Sequence, residues 1–111
     1  MAHGLPDFIA TVTYLPTEEG GRKNPVYSGY RPLVKFEIGE LYTSGQQVFI
    51  GTNSVKPGEA VEAEITILSK EAFQNCLYVG MKFNFMETPK QTLGTGVITK
   101  VINNELQLLE D

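Results

Sequence analysis

The strongest constraint on the fold is the alternation of apolar and polar residues within short segments of the chain. It is clearest at the start of residues 61–68, where each apolar residue from Val61 to Ile67 is separated from the next by glutamate or threonine. A period of two residues places successive side chains on opposite faces of a β-strand. This segment predicts a strand with one face in water and one face in the core, the latter formed by Val61, Ala63, Ile65 and Ile67.

Strand patterning recurs along most of the chain. The six predicted strands cover residues 8–15, 32–41, 46–51, 61–68, 81–87 and 92–102. The first strand is predicted to face the core with Phe8, Ala10, Val12 and Tyr14. Glycine and proline separate the strands, most visibly in the polar loop "PTEEGGRKNP". The one predicted helical turn covers residues 70–73, with Ser69 as its cap.

Six short strands without a substantial helix leave a β-sandwich or a closed β-barrel as the possible architectures. A barrel leaves no strand edge exposed. Gly94 and Gly96 also favour it, because two glycines on one face of the last strand permit a sharp bend or the close approach of a neighbouring backbone. The sequence predicts an all-β barrel over residues 8–102, with a flexible N-terminus at 1–7 and an acidic C-terminal tail at 103–111.

Composition limits the possible functions. The formal net charge is −4, which disfavours general nucleic-acid binding because such binding depends on clustered Lys and Arg. With His3 and Cys76 as the single residues of their types, the chain shows no recognisable zinc site, catalytic triad or internal disulfide. We expect no enzyme activity and no cofactor. No segment resembles a membrane helix or a secretory signal, so we expect a cytoplasmic protein without membrane contact.

One region of the chain carries a family resemblance. The loop and strand "EEGGRKNPVYSGYRPLVKF" closely resemble those of the C-terminal β-barrel, domain three, of bacterial elongation factor Tu. That family has Glu-Gly-Gly-Arg, a short aromatic stretch, and then Gly-Tyr-Arg-Pro leading into a strand. The turn "VKPGEAVE" and the closing "TLGTGVITKV" are similar to further motifs of the same domain, so the similarity covers roughly residues 8–102 in the same order.

The resemblance implies a six-stranded antiparallel closed barrel. It also implies that GTP binding is absent, because that activity belongs to another domain of the family and the chain has no G-x-x-x-x-G-K-[ST] motif. In the family, this barrel helps to hold the T stem of aminoacyl-tRNA, packs against the GTPase domain and meets the nucleotide-exchange factor. We therefore expect a stand-alone domain of this type with translation-related partners.

The candidate partner or RNA contacts lie in and after the shared loop. Arg22 and Arg31 match the two loop arginines of the family, and guanidinium groups suit phosphate contacts. The full candidate set is Arg22, Lys23, Tyr27, Tyr30, Arg31 and Lys35. Structural roles compete with binding roles here: Arg31 can stack on an aromatic ring or bond loop carbonyls, and Tyr27 and Tyr30 can anchor the loop to the barrel.

Departures from the family pattern weaken the expectation of tRNA carriage. Leu33, Ser69 and Met86 stand where the family has glutamine, lysine and arginine, and lost phosphate donors lower affinity through lost counterion release. Our first hypothesis is a non-catalytic binding module for a protein that normally recognises the translation factor. The second is an RNA-binding module that contacts the acceptor and T stem of tRNA through the basic loop. A third is an accessory domain that acts only with another chain.

Overall fold

The computed structural model describes residues 5–109, which contain eight β-strands. They are β1 Phe8–Tyr14, β2 Val26–Tyr27, β3 Leu33–Phe36, β4 Tyr42–Phe49, β5 Ser54–Val55, β6 Ala60–Ile67, β7 Lys82–Thr88 and β8 Gln91–Val101. Six of them form a closed barrel in the order β1-β6-β4-β3-β7-β8, in which every pairing is antiparallel and β8 closes on β1. The predicted six-stranded barrel is confirmed, and the sandwich alternative is wrong.

Antiparallel pairing brings the connecting loops to the two ends of the barrel. At one end, β1, β4 and β7 finish while β3, β6 and β8 begin. This end is termed the rim, and its loops are residues 15–32, 50–59 and 89–90. The opposite end carries residues 37–41 and 68–81 together with the first and last described residues.

The strands β2 and β5 form a separate two-stranded ribbon at the rim, which the sequence does not predict. Val26 pairs with Val55 in this ribbon, and the N–H of Ser28 donates to the Asn53 carbonyl at 2.8 Å. Each strand has 2 residues, which is too few for an alternating pattern. The ribbon therefore depends on tertiary contacts between two loops.

The barrel interior is filled by the apolar faces of its strands. The predicted core face of β1 is confirmed, since all its members are buried: Phe8, Ala10, Val12 and Tyr14. The Phe8 ring lies 5.9 Å from the Phe36 ring and 5.8 Å from the Phe83 ring, between centroids and in T-shaped arrangements. Edge-to-face pairs of this kind contribute about 0.5–1.5 kcal/mol beyond the burial of the rings.

A β-bulge interrupts the alternation in the last strand. Where β1 pairs with β8, Ile98 lies opposite Ala10 and Lys100 lies opposite Ile9, so Thr99 is an additional residue without a partner. The predicted strict alternation along β8 is therefore wrong beyond Ile98. A bulge shifts the two-residue period by one position, and only the pairing with a neighbouring strand reveals where it occurs.

Gly94 and Gly96 let the aromatic core reach the wall of the barrel. In the pairing of β7 with β8, Phe85 lies opposite Gly94 and Phe83 lies opposite Gly96. A Cβ atom at either glycine would overlap the ring of the opposite phenylalanine, and at Gly94 it would also overlap the Thr13 carbonyl oxygen. The predicted close approach at these glycines is confirmed, and it involves side chains as well as backbone.

Asp7 joins the start of the barrel to segments that follow β6 and β8. Its carboxylate accepts hydrogen bonds from the Ile67 N–H at 2.8 Å and the Asn103 amide at 2.9 Å, and it lies 3.2 Å from Lys70 Nζ. The Asp7 side chain is 1% exposed, so these partners replace water around the charge. Residues 1–4 of the expected flexible N-terminus lie outside the described residues, whereas Asp7, from the same segment, is fixed in the barrel.

The described part of the expected acidic tail at residues 103–111 packs on the barrel. Leu106 is fully buried, and its carbonyl accepts hydrogen bonds from the N–H groups of Cys76 at 2.9 Å and Leu77 at 2.7 Å. Leu77 also forms an isolated parallel bridge with Gln107. The tail contains three leucines, of which Leu108 and Leu109 are exposed, so the sequence does not identify Leu106 as the one that enters the core.

Helical structure in the described residues is limited to two 3-10 turns, Thr17–Glu19 and Lys70–Phe73. The second turn confirms the predicted one, but the predicted cap is wrong because Ser69 makes no side-chain capping bond. Its N–H donates instead to Thr43 Oγ1 at 3.0 Å, which fixes the turn to β4. Across residues 5–109, no helix is long and apolar enough to cross a membrane.

We predict that Gly96→Ala lowers the free energy of unfolding by about 1–3 kcal/mol, because the Phe83 ring must move to accommodate the new methyl group. Urea denaturation followed by circular dichroism measures the change. The control is Thr95→Ala at the adjacent exposed position, where the expected change is less than about 1 kcal/mol. Equal stabilities for Gly96→Ala and the unmodified protein would contradict the packing role of this glycine.

Candidate binding surface at the barrel rim

The loop that follows β1 is shaped by two adjacent glycines. Gly20 ends the turn Thr17–Glu19 with a φ of 94°, a left-handed conformation that glycine adopts without steric cost. A side chain at Gly21 would overlap the carbonyl group of Leu15, while the Gly21 N–H donates to the Pro16 carbonyl at 3.0 Å. Both positions require glycine, and the tight turn returns the following residues to the rim.

Arg22 and Tyr30 meet at Glu87, at the end of β7. The Tyr30 hydroxyl donates to Glu87 Oε1 at 2.6 Å, and Arg22 Nη1 lies 3.5 Å from the same oxygen. The Arg22 guanidinium carbon is 5.3 Å from the centre of the Tyr30 ring, a distance typical of a cation–π contact. Thr17 Oγ1 donates to the Arg22 carbonyl at 2.6 Å. Two of the predicted site residues thus fasten the loop after β1 to the barrel.

The surroundings of Tyr30 keep its hydroxyl neutral. The pKa of Tyr30 is raised from 10.0 to about 12, mostly by burial and in addition by the hydrogen bond to Glu87 and the charge of Glu87. The positive charge of Arg22 acts in the opposite direction. Tyr30 therefore stays protonated and donates a hydrogen bond to Glu87, whose carboxylate also partly offsets the positive charge of Arg22.

A buried polar pair lies deeper in the barrel at the same end. The Tyr14 hydroxyl donates to Gln47 Oε1 at 2.6 Å, and burial raises the pKa of Tyr14. Gln47 is fully buried; its N–H donates to the Tyr30 carbonyl at 2.8 Å, and its carbonyl accepts the Gly29 N–H at 2.7 Å. Gln47 lies in a predicted strand, and its place two residues before buried Phe49 is the one sequence signal that it faces inward.

Three of the candidate residues are exposed at the rim. Tyr27 is 68% exposed, and Lys23 and Arg31 are also exposed. No side-chain hydrogen bond or ion pair joins any of the three to another residue in the described part of the chain. The stacking role considered for Arg31 is taken by Arg22, and the anchoring role considered for both tyrosines is taken by Tyr30.

Lys35 lies apart from the other candidates. It is on β3 opposite Asn84 of β7, and its Nζ donates to the Gly39 carbonyl at 3.3 Å, towards the end of the barrel away from the rim. The structure therefore brings Arg22 and Tyr30 into contact, leaves Lys35 outside the rim, and presents the remaining three candidates to solvent.

Within residues 5–109, the side chains that could hold a metal ion are Cys76 and the Asp and Glu carboxylates. Between residues 5 and 109, no group of three or more His, Cys, Asp or Glu side chains is arranged to hold a metal ion. Cys76 is partly buried, and its thiol donates to the Gln74 carbonyl at 3.2 Å. His3 lies outside the described residues.

The fold and the rim together define the class of protein. A closed six-stranded antiparallel barrel carries Glu-Gly-Gly-Arg and Gly-Tyr-Arg-Pro in one loop region at its end. The model of the family described as "Elongation factor Tu C-terminal domain" matches residues 2–102, and the chain belongs to this family. In the family this domain is a non-catalytic β-barrel, the GTPase activity lies in another domain, and the partners belong in general to the translation machinery.

We predict that Glu87→Ala lowers the pKa of Tyr30 from about 12 but leaves it above 10.0, because burial is the larger cause of the increase. Titration of the Tyr30 ring signals by NMR measures the shift, with Tyr30→Phe used to assign them. A pKa unchanged by the substitution would contradict the contact between the hydroxyl and Glu87.

The raised pKa of Tyr30 also determines whether rising pH stabilises or destabilises the folded state. The neutral phenol stabilises the folded state fully below the unfolded-state pKa of 10.0, and this contribution is lost as the pH rises towards about 12. Between pH 10.0 and about 12, the Tyr30→Phe variant is therefore expected to lose less unfolding free energy than the unmodified protein.

Proposed function

We propose that the protein is a non-catalytic binding module whose rim contacts a protein of the translation machinery. The observation that carries the proposal is the exposure of Tyr27 and Arg31 on a chain segment attached to the barrel. Tyrosine and arginine are among the residue types that most often dominate the energy of protein interfaces. An exposed pair of these types on a fixed segment is suited to act as the centre of such an interface.

The segment that carries Tyr27 and Arg31 is held in place before any partner binds. Ser28 Oγ accepts the Phe49 N–H at 2.9 Å, and the Gly29 N–H donates to the Gln47 carbonyl at 2.7 Å. A surface ordered in advance loses less conformational entropy on association, so more of the contact energy remains as affinity.

The distribution of charge favours a protein over a nucleic acid. Arg22 shares Glu87 with Tyr30, and Lys35 lies outside the rim, so Lys23 and Arg31 are the candidate cations that face solvent there. Nucleic-acid affinity increases with the number of phosphates that are neutralised. The rim loops also contain the exposed Lys56 and Lys90, but glutamates in these loops offset their charges, so the rim of a chain with a net charge of −4 offers little excess positive charge to phosphates.

We predict that Tyr27→Ala reduces the recovery of translation-related proteins at least about tenfold in a pull-down from extract of cells that express the protein, because truncation of a central interface residue costs about 2 kcal/mol or more. Quantitative mass spectrometry measures the recovery. The matched control is Tyr42→Ala, whose side chain is 43% exposed at the start of β4, at the end of the barrel away from the rim.

Domain three of elongation factor Tu, used as a second bait, tests whether the partner also recognises the parent domain. Shared proteins that are lost with Tyr27→Ala and kept with Tyr42→Ala support the proposal. Recovery of no translation-related protein, or equal recovery by both variants, would count against it.

RNA binding is a second candidate function, favoured by the exposure of Lys23 and Arg31 without partners among the described residues. Both residues lie in the loop whose family counterpart helps to hold the T stem of tRNA. In this case the rim would bind phosphate groups of a short RNA duplex through charge-assisted hydrogen bonds.

We predict for this alternative that Arg31→Ala weakens binding to a duplex of the tRNA acceptor and T stem, and reduces the slope of log affinity against log salt by about 1. Fluorescence anisotropy at low salt measures both quantities. Lys35→Ala is the control and should match the unmodified protein, since Lys35 lies away from the rim. Absence of binding at low salt rules the alternative out.

A further inference from the structure

We propose that the outer face formed by β6, β1 and β8 binds a second copy of this chain in a symmetric dimer. The strand register places Glu64 and Lys100 on either side of Ile9, one residue from each strand. An acidic, an apolar and a basic residue therefore lie in a row across three neighbouring strands. Neither the rim nor the family match assigns a role to this face.

The three side chains of this row face away from the barrel core. In β1 and β6, the residues on both sides of Ile9 and Glu64 are buried, so alternation directs these two outward, and Lys100 is exposed. No ion pair joins Glu64 or Lys100 to another residue within 5–109. Because neighbouring strands are about 4.8 Å apart, the two charged residues are separated by about 10 Å across Ile9.

The row is self-complementary under a twofold rotation. An axis parallel to β1 and passing over Ile9 sets β6 of one copy against β8 of the other. Glu64 of each copy then meets Lys100 of the other copy, and the two Ile9 side chains meet at the axis. A purely basic partner would attract Glu64 but would be repelled by Lys100, so the charge pattern favours a second copy of the chain.

The adjacent row supports the same arrangement. Thr11 of β1 lies between Glu62 of β6 and Val97 of β8, and Val97 is 38% exposed. The rotation brings the two Thr11 side chains together and sets Val97 of each copy opposite Glu62 of the other. Lys82, which pairs with Val97 across β7 and β8, would lie one strand away from Glu62 of the other copy. Long side chains span that diagonal separation.

This arrangement has a consequence for the rim. Rotation about an axis parallel to the strands keeps the direction of the barrel, so both rims project from the same side of the dimer. A partner with two recognition sites would then gain affinity through the increased effective concentration of the second site. The dimer itself does not depend on the function proposed for the rim.

Sedimentation velocity at low salt tests the proposal, with the protein at concentrations from about 10 µM to about 1 mM, the range suited to a weak contact between convex surfaces. The unmodified protein is expected to pass from monomer to dimer. Glu64→Lys and Lys100→Glu, which each set like charges against one another, should raise the dimer dissociation constant at least about tenfold.

The charge swap Glu64→Lys with Lys100→Glu restores opposite charges across the contact and is expected to return the dissociation constant to within about threefold of the original. Lys35→Glu, on β3 outside this face, is the control and should dimerise like the unmodified protein. Tyr27→Ala should also dimerise normally, which separates this test from that of the rim. Circular dichroism establishes that each variant is folded.

Three results would overturn the proposal. One is a protein that remains monomeric over the whole concentration range. Another is a dimer that neither single charge reversal weakens. The third is a folded charge-swap variant that fails to recover dimerisation after both single reversals have weakened it.

Discussion

The contact between two phenylalanine rings of β7 and two glycines of β8 is the constraint on which the barrel depends. Phe83 and Phe85 occupy the space that side chains at Gly96 and Gly94 would fill. A six-stranded barrel has a narrow interior, and these two rings can pack against β8 only because the residues opposite them provide no side chain. The Tyr14 ring packs against Phe85 at 4.7 Å and carries this packing towards the rim.

The rim takes its shape from that core. Tyr14 bonds Gln47 in the interior, and the backbone of Gln47 holds the segment that leads into β3. Glu87, at the end of β7, receives Arg22 and Tyr30 from two parts of the same loop region. Residues that resemble RNA contacts in the sequence are thus partly used within the protein, where they order the surface that remains exposed.

Closure of the barrel also limits how partners can bind. A closed sheet has no free edge, so partners cannot add a strand to it and must recognise side chains or loops. The rim offers an exposed tyrosine with cations nearby, whereas the face of β6, β1 and β8 offers charges of both signs around Ile9. The first pattern is the basis of the proposed contact with a different protein, and the second is complementary to itself.

The sequence by itself determined the number of barrel strands, the inward face of β1, the need for Gly94 and Gly96, and the family, because alternation and glycine placement are local properties of the chain. Tertiary structure alone decided the ribbon of β2 and β5, the bulge at Thr99, the burial of Gln47 and the sharing of Glu87 by Arg22 and Tyr30. These features depend on strand register and on side chains up to 65 positions apart. No local pattern encodes such pairings, so the sequence proposed the site residues without showing which would be used internally.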